Sequence, residues 1–120
     1  MIQLLPNCGK AQLVVMEDNL LKVQLTNFGA AMFSVQIKEK NGELEDIALT
    51  CDSLSGFIQN RNFYGATVGR VVNRIKQGRA EISGISYQLE CNEGKNSAHG
   101  GSAGFAWRFW DTEVQEDCVV

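Results

Sequence analysis

Two segments of the chain hold most of the side chains that could do chemistry. Residues 65–75 include Asn73 and Arg74, and residues 92–101 include His99, the only histidine in the sequence. A guanidinium offers five N–H donors in a fixed fork, and an imidazole can donate or accept a hydrogen bond near neutral pH. Together these groups could bind a polar ligand and move a proton.

Each of these side chains also has a structural interpretation. His99 precedes two glycines and could be a loop histidine with a satisfied hydrogen bond. Arg74 stands between Val72 and Ile75, so it could lie on the polar side of a strand. Asn73 is of a type that often forms turns. Taken singly, none of the three residues identifies a site.

Residues 100–104, Gly-Gly-Ser-Ala-Gly, match the Gly-x-Ser-x-Gly pattern of a nucleophile elbow. That motif needs a buried strand before the serine and a helix after it, whereas Ser102 follows a polar stretch and precedes an aromatic one. His99 is also too close in sequence to serve as its base in the usual chain order. We therefore interpret the match as accidental.

The joined pattern is more specific than its parts. The segment 69–75, Gly-Arg-Val-Val-Asn-Arg-Ile, is followed by Asn-Ser-Ala-His-Gly-Gly at 96–101, by Gly104-Phe105, and by a tryptophan at 107 or 110. In this order and spacing the chain resembles the aldose 1-epimerases, or galactose mutarotases. A leucine is commoner in that family at the position of Ala98. The resemblance runs from about Leu13 to the C-terminus, and family members are well over twice as long.

The resemblance implies an isomerase without a cofactor, which interconverts the α and β anomers of free aldohexoses such as galactose or glucose. Such enzymes protonate the ring oxygen, remove the anomeric hydroxyl proton, and close the opened ring on the other carbonyl face. By position, Asn73 and Arg74 correspond to the pair that hydrogen-bonds sugar hydroxyls, and the donors of Arg74 suit a vicinal diol. His99 corresponds to a pocket histidine near the ring oxygen.

The family's general acid is a second histidine, its general base is a glutamate near the C-terminus, and a later aspartate also binds the sugar. This sequence holds no counterpart of the three, so we expect the chain to supply part of the pocket and to have little or no mutarotase activity alone. One alternative is a hexose-6-phosphate mutarotase, for which Arg61 and Arg70 are the candidate basic residues. Another is a non-catalytic carbohydrate-binding fragment.

The elements that must position these residues are predicted to be antiparallel strands. Apolar and polar residues mostly alternate from Leu13 to Leu49, which is the period of a strand. A chain reversal or a bulge is expected at residues 27–29, and Asn41-Gly42 predicts a tight hairpin between residues 33–38 and 47–50. A second hairpin is predicted from residues 79–82 and 86–89.

The remaining segments are predicted from composition. Residues 65–75 favour an irregular strand over a helix, and residues 91–104 form a polar loop of a length that is usually functional. An aromatic strand would place Trp107, Phe109 and Asp111 on one face, before a turn at Glu116-Asp117 and the start of a strand at 118–120. No helix of convincing length is expected. We therefore predict an all-β fold. The resemblance to the aldose 1-epimerases implies that this fold is part of a large antiparallel sandwich, in which residues 1–120 are one domain or its N-terminal fragment.

Composition limits the partners and the compartment. The chain is 44% hydrophobic and 21% charged with a net charge of -3, which excludes disorder, and its scattered basic residues predict no binding to nucleic acid or membrane. Its cysteines are far apart and lack a Cys-x-x-Cys pair, so no metal site is expected. The N-terminus lacks a secretory pattern, so we predict a cytoplasmic protein with free thiols. The expected partner is a small-molecule aldohexose, and the oligomeric state is left open.

Overall fold

The computed structural model describes residues 2–59 and 62–120, with the backbone alone for residues 4–8. Its largest unit is an antiparallel sheet in which each strand pairs with the next one along the chain. The strands are β1 (Ile2–Cys8), β2 (Ala11–Glu17), β3 (Leu21–Thr26), β4 (Ala31–Lys38) and β5 (Leu44–Asp46). The predicted antiparallel strands are confirmed, and β1 is an addition that the sequence did not predict.

The chain reverses between β3 and β4 where it was predicted to do so. Gly29 and Ala30 have φ values of 71° and 42°, and the N–H of Gly29 donates to the carbonyl oxygen of Arg108 at 2.7 Å. A Cβ atom at Gly29 would lie 2.6 Å from the carbonyl oxygen of Ala106. Glycine is therefore needed here, because a later segment packs directly against the turn.

The hairpin predicted from Asn41-Gly42 joins β4 to β5. Gly42 has a φ of 89°, and the Asn41 side chain accepts the N–H of Glu43 at 2.9 Å. The predicted second strand at 47–50 is wrong, because β5 ends at Asp46. The Asp46 carboxylate accepts the N–H of Ala48 at 2.9 Å, a local bond that turns the chain out of the sheet.

A short helix, α1 (Leu54–Gln59), covers part of the sheet. The sequence was expected to contain no helix of convincing length, and this six-residue element was not predicted. Ser53 caps it, since its Oγ accepts the N–H of Gly56 at 3.1 Å. Phe57 packs edge-on against Phe33 of β4 with ring centroids 5.6 Å apart. Six residues are too few to show helical periodicity in a sequence, so tertiary packing decides this element.

Two small antiparallel units follow. β6 (Arg74–Ile75) pairs with β9 (Ser97–Ala98), so residues 65–75 avoid a helix as predicted but form a strand only at their end. Between them, β7 (Arg79–Ile82) and β8 (Ile85–Gln88) form the predicted second hairpin. Its turn is Ser83-Gly84, with φ values of 52° and 76°.

The predicted aromatic strand is wrong. Residues 105–107 form a 3-10 turn, because the N–H of Trp107 donates locally to the carbonyl oxygen of Gly104 at 3.1 Å. Phe109 then forms a single bridge to Phe28. The bend expected at residues 116–117 is present, and residues 118–120 pair back onto residues 113–115.

The hydrophobic core lies between the five-stranded sheet, α1 and the segments that return to it. The side chains that form it are Ala11, Phe28, Ala31, Phe33, Leu54 and Phe57, flanked by partly buried residues that include Tyr64 and Trp107. The antiparallel all-β class is confirmed, with short helical turns as its exceptions.

Some findings concern what the described residues do not contain. No helix in residues 2–59 and 62–120 is long and apolar enough to cross a membrane. Within the same residues, no group of three or more His, Cys, Asp or Glu side chains could hold a metal ion. Cys91 and Cys118 are free thiols, and the side chain of Cys8 lies outside the description. The cytoplasmic location stays a prediction.

Candidate functional site

Arg74 and His99 line one cavity of about 620 Å³. Arg74 belongs to β6 and His99 follows β9, and the pairing of Arg74 with Ala98 in these strands brings the two residues side by side. The other residues that line the cavity are Asn62, Phe63, Tyr64, Asn92, Glu93, Ala98, Ser102 and Trp107. The cavity is therefore built from three separate segments of the chain.

Main-chain hydrogen bonds fix His99 against Asn73. The N–H of His99 donates to the carbonyl oxygen of Asn73 at 3.0 Å, and the N–H of Asn73 donates to Nδ1 of His99 at 3.2 Å. Both residues have positive φ, 61° at Asn73 and 50° at His99. Since Nδ1 accepts a hydrogen bond, the neutral ring must carry its proton on Nε2.

The guanidinium of Arg74 is held by a bidentate ion pair with Glu93. Nε of Arg74 lies 2.5 Å from Oε2 of Glu93, and Nη2 lies 2.6 Å from Oε1. Nη1 donates to Oδ1 of Asn73 at 3.1 Å. The hydrogen bonds and charge of Glu93 raise the pKa of Arg74, and those of Arg74 lower the pKa of Glu93. Both groups are therefore charged at neutral pH.

Aromatic side chains form one wall of the cavity. The ring of Phe63 lies 4.7 Å from the His99 ring and 4.8 Å from the Trp107 ring, measured between centroids. Trp107 thus lines the cavity. Phe109 packs on Phe28 instead, and Trp110 packs on Phe105. An apolar wall of tilted rings beside polar groups suits a ligand that has both apolar and polar surfaces.

Asn92 fixes the strand that leads to His99. Its Oδ1 accepts the N–H of Ala98 at 2.7 Å, and its Nδ2 donates to the carbonyl oxygen of Ala98 at 3.0 Å. Ala98 is 3% exposed, so both of its main-chain groups are satisfied by one side chain rather than by water. These two bonds link the segment that carries His99 to Asn92.

Ser102 links the same loop to Glu90. Its N–H and its hydroxyl both donate to Oε2 of Glu90, at 2.9 and 3.0 Å, and these bonds lower the pKa of Glu90. The hydroxyl is directed to this carboxylate rather than to His99, whose Nδ1 accepts from Asn73. The arrangement agrees with the interpretation of Gly-x-Ser-x-Gly as accidental.

Arg70, a candidate phosphate ligand, lies elsewhere. Its guanidinium carbon is 5.2 Å from the centroid of the Phe105 ring, and it lines a separate cavity of about 340 Å³ together with Glu90 and Arg108. Arg61, the other candidate, falls outside the described residues. Among the described residues of the Arg74 cavity, Arg74 is the only cationic side chain, and Glu93 is paired with it.

The three residues predicted from the sequence therefore lie close together, but they do not all line the cavity. Arg74 and His99 line the cavity, while Asn73 contacts both of them through its main chain and its amide oxygen. Sequence reasoning gave no role to Glu93 or Asn92. A signal existed for the first of these, because Glu93 is the only acidic residue in the polar loop 91–104.

Comparisons with known proteins agree with this architecture. A family model described as Aldose 1-epimerase matches residues 12–120. Galactose mutarotase from Bos taurus is 34% identical over 111 residues, which cover 92% of this chain and 32% of that protein. Aldose 1-epimerase from Escherichia coli (strain K12) is 31% identical over 118 residues, which cover 98% of this chain and 34% of that protein.

Solved structures show the same similarity. An aldose epimerase homologue from C. elegans superposes with a TM-score of 0.81 at 30% identity, over 89% of this chain and 33% of that one. A galactose 1-epimerase from Lactobacillus acidophilus superposes with a TM-score of 0.79 at 26% identity, over 97% and 35%. The chain spans about a third of the length of these relatives. The family match and the shared fold together show that this chain belongs to the aldose 1-epimerase family.

Proposed function

We propose that the cavity around Arg74 and His99 is part of a mutarotase pocket for free aldohexoses such as galactose or glucose. One observation supports this most strongly. A fixed guanidinium and a fixed imidazole, 25 positions apart in the sequence, line one cavity beside an aromatic wall. Membership of the aldose 1-epimerase family makes anomer interconversion the activity to test.

Each residue has a proposed role in this reaction. Arg74 would donate hydrogen bonds to sugar hydroxyls, and Asn73 would hold Arg74 and His99 in place as well as assist in binding. His99, with its proton on Nε2, would donate a hydrogen bond to the ring oxygen, which favours ring opening as charge develops there. No cofactor takes part in the proposed step.

The chain by itself is proposed to bind sugar with little or no turnover. Anomer interconversion needs an acid at the ring oxygen and a base at the anomeric hydroxyl. His99 is the only histidine of the sequence, and Glu93, the carboxylate in the cavity, is paired with Arg74. A non-catalytic carbohydrate-binding role is thus the second candidate. Both candidates predict that the purified chain leaves the mutarotation of fresh α-D-galactose at the rate in buffer, as followed by polarimetry. Clear acceleration over buffer would contradict the proposed lack of turnover.

Sugar binding can be followed through single groups of the pocket. Titration with D-galactose should shift the ring signals of His99 in NMR spectra and change the fluorescence of Trp107. The variant Arg74→Lys keeps the charge but loses the guanidinium fork, so it should weaken binding about tenfold. Arg79→Lys, on the exposed β7–β8 hairpin, is the matched control and should leave binding unchanged. Equal effects of the two substitutions, or no response of His99 to galactose, would refute the pocket.

A further inference from the structure

Glu93 lies in the proposed pocket and has no role in the proposed reaction. Its carboxylate is half exposed, with 47% of the side chain accessible, and it faces the cavity beside Arg74. It binds the guanidinium through both oxygens. A charged group placed at the point where a ligand would meet Arg74 must affect which ligands can bind there.

The hydrogen-bonding capacity of the pair can be counted. Of the five N–H donors of Arg74, three are used by Glu93 and Asn73. One N–H on each terminal nitrogen is left for a ligand. Each oxygen of Glu93 uses one lone pair and keeps another. The pair therefore presents donors and acceptors side by side.

Donors and acceptors placed side by side can bind a hydroxyl group but not a phosphate group. A sugar hydroxyl both donates and accepts, so a vicinal diol can bond to the guanidinium and to the carboxylate together. An ionised phosphate only accepts, and it carries about two negative charges that the carboxylate of Glu93 would repel. Arg74 without Glu93 would instead be a good phosphate ligand, since a guanidinium fork binds phosphate in a bidentate manner.

We infer that Glu93 is a specificity-determining residue, which accepts a hydroxyl of a neutral sugar and excludes anionic ligands from Arg74. The binding of a sugar hydroxyl by Glu93 rests on the proposed function. The exclusion of anions depends only on the ion pair and applies to any anion. It also gives a reason why the pocket would take free hexoses rather than hexose phosphates.

The test measures the affinity of the 120-residue chain for inorganic phosphate, D-galactose 6-phosphate and D-galactose. The Nε–H signal of Arg74 in NMR spectra, assigned with Arg74→Lys, reports binding at this group. Glu93→Gln removes the charge, so affinity for phosphate and for galactose 6-phosphate should rise about fivefold, as expected for one partly exposed charge. The affinity for galactose should fall, because the amide holds one acceptor oxygen instead of two.

Two further variants serve as controls. Glu81→Gln makes the same change in net charge on β7, away from the cavity, and should leave anion binding unchanged. Glu93→Asp keeps the charge and should keep phosphate excluded, and it also guards against a loss of folding in Glu93→Gln. The inference is overturned if wild type and Glu93→Gln bind phosphate equally, or if Glu81→Gln gains as much. If anion exclusion follows Glu93 while galactose binds to no variant, the charge selection stands and the proposed sugar pocket fails.

Discussion

The main-chain N–H of Asn73 donates a hydrogen bond to Nδ1 of His99 at 3.2 Å, across 26 positions of sequence. The return bond, from the N–H of His99 to the carbonyl oxygen of Asn73, is 3.0 Å long. These two bonds join the β6 and β9 segments at the candidate site. They also determine which nitrogen of the imidazole can donate to a ligand.

The first prediction concerns this tautomer. Neutral His99 should be protonated at Nε2 in nearly all molecules, because the Asn73 N–H occupies Nδ1 as an acceptor. Long-range proton–nitrogen NMR correlations of the ring distinguish the two tautomers, and the assignment is unambiguous because the chain has a single histidine. A spectrum of the chain unfolded in urea is the control, where the two nitrogens should lose this bias. A proton on Nδ1 in the folded chain would contradict the proposed donor role.

The second prediction concerns the glycine that follows His99. A Cβ atom at Gly100 would clash with the carbonyl oxygen of Gly69, and Gly100 has a φ of 86°. Gly100→Ala should therefore lower the free energy of unfolding by about 3 kcal/mol or more. Gly94→Ala in the same loop is the control. Gly94 also has a positive φ, 59°, but open space around it, so this variant should lose only about 1 kcal/mol. Urea denaturation compares the two, and equal losses would show that the close approach to Gly69 has no effect.

A third prediction concerns the amide of Asn92. Asn92→Ala leaves the buried N–H and carbonyl groups of Ala98 without their partner and should lower the free energy of unfolding by about 2 kcal/mol. It should also increase amide hydrogen exchange at His99. The same substitution at Asn41, whose side chain bonds only within an exposed turn, should lose less than about 1 kcal/mol. If Asn41→Ala destabilises the chain as much as Asn92→Ala, burial of the bonds is not the cause.

The fourth prediction is a pH dependence. The hydroxyl and N–H of Ser102 lower the pKa of Glu90. A carboxylate with a lowered pKa in the folded state stabilises that state above its unfolded pKa, and the contribution is lost as pH falls through the lowered value. We expect the hydrogen bonds between Ser102 and Glu90, which hold the His99 loop, to weaken as pH falls below about 4, near and below the ordinary pKa of Glu.

Carbon NMR of the Glu90 carboxyl measures this effect directly. Ser102→Ala removes the hydroxyl bond and should raise the pKa of Glu90 toward its ordinary value. Ser86→Ala, on the exposed strand β8, removes a hydroxyl that does not contact Glu90 and should leave that pKa in place. An unchanged Glu90 titration in Ser102→Ala would show that the hydroxyl does not stabilise the carboxylate.

The sequence alone determined the strands and turns that depend only on adjacent residues. The alternation in β3 and β4, the Gly42 turn and the Ser83-Gly84 hairpin were predictable, because side-chain periodicity and positive φ are properties of a few adjacent residues. The joined motifs also determined the family, and with it Asn73, Arg74 and His99 as the residues to examine. These predictions need no knowledge of which segments meet.

Only the tertiary structure decided the rest. α1 depends on the contact of Phe57 with Phe33 and on the Ser53 cap. The 3-10 turn at 105–107 forms beside the segment that side-chain periodicity predicted to be a strand. The pairing of Arg74 with Glu93 and the bonds of Asn92 to Ala98 depend on the β6–β9 register, which sets what lies beside each side chain. The sequence alone therefore identified the chemical groups, while the fold decided which nitrogen of His99 is free and which partner Arg74 has.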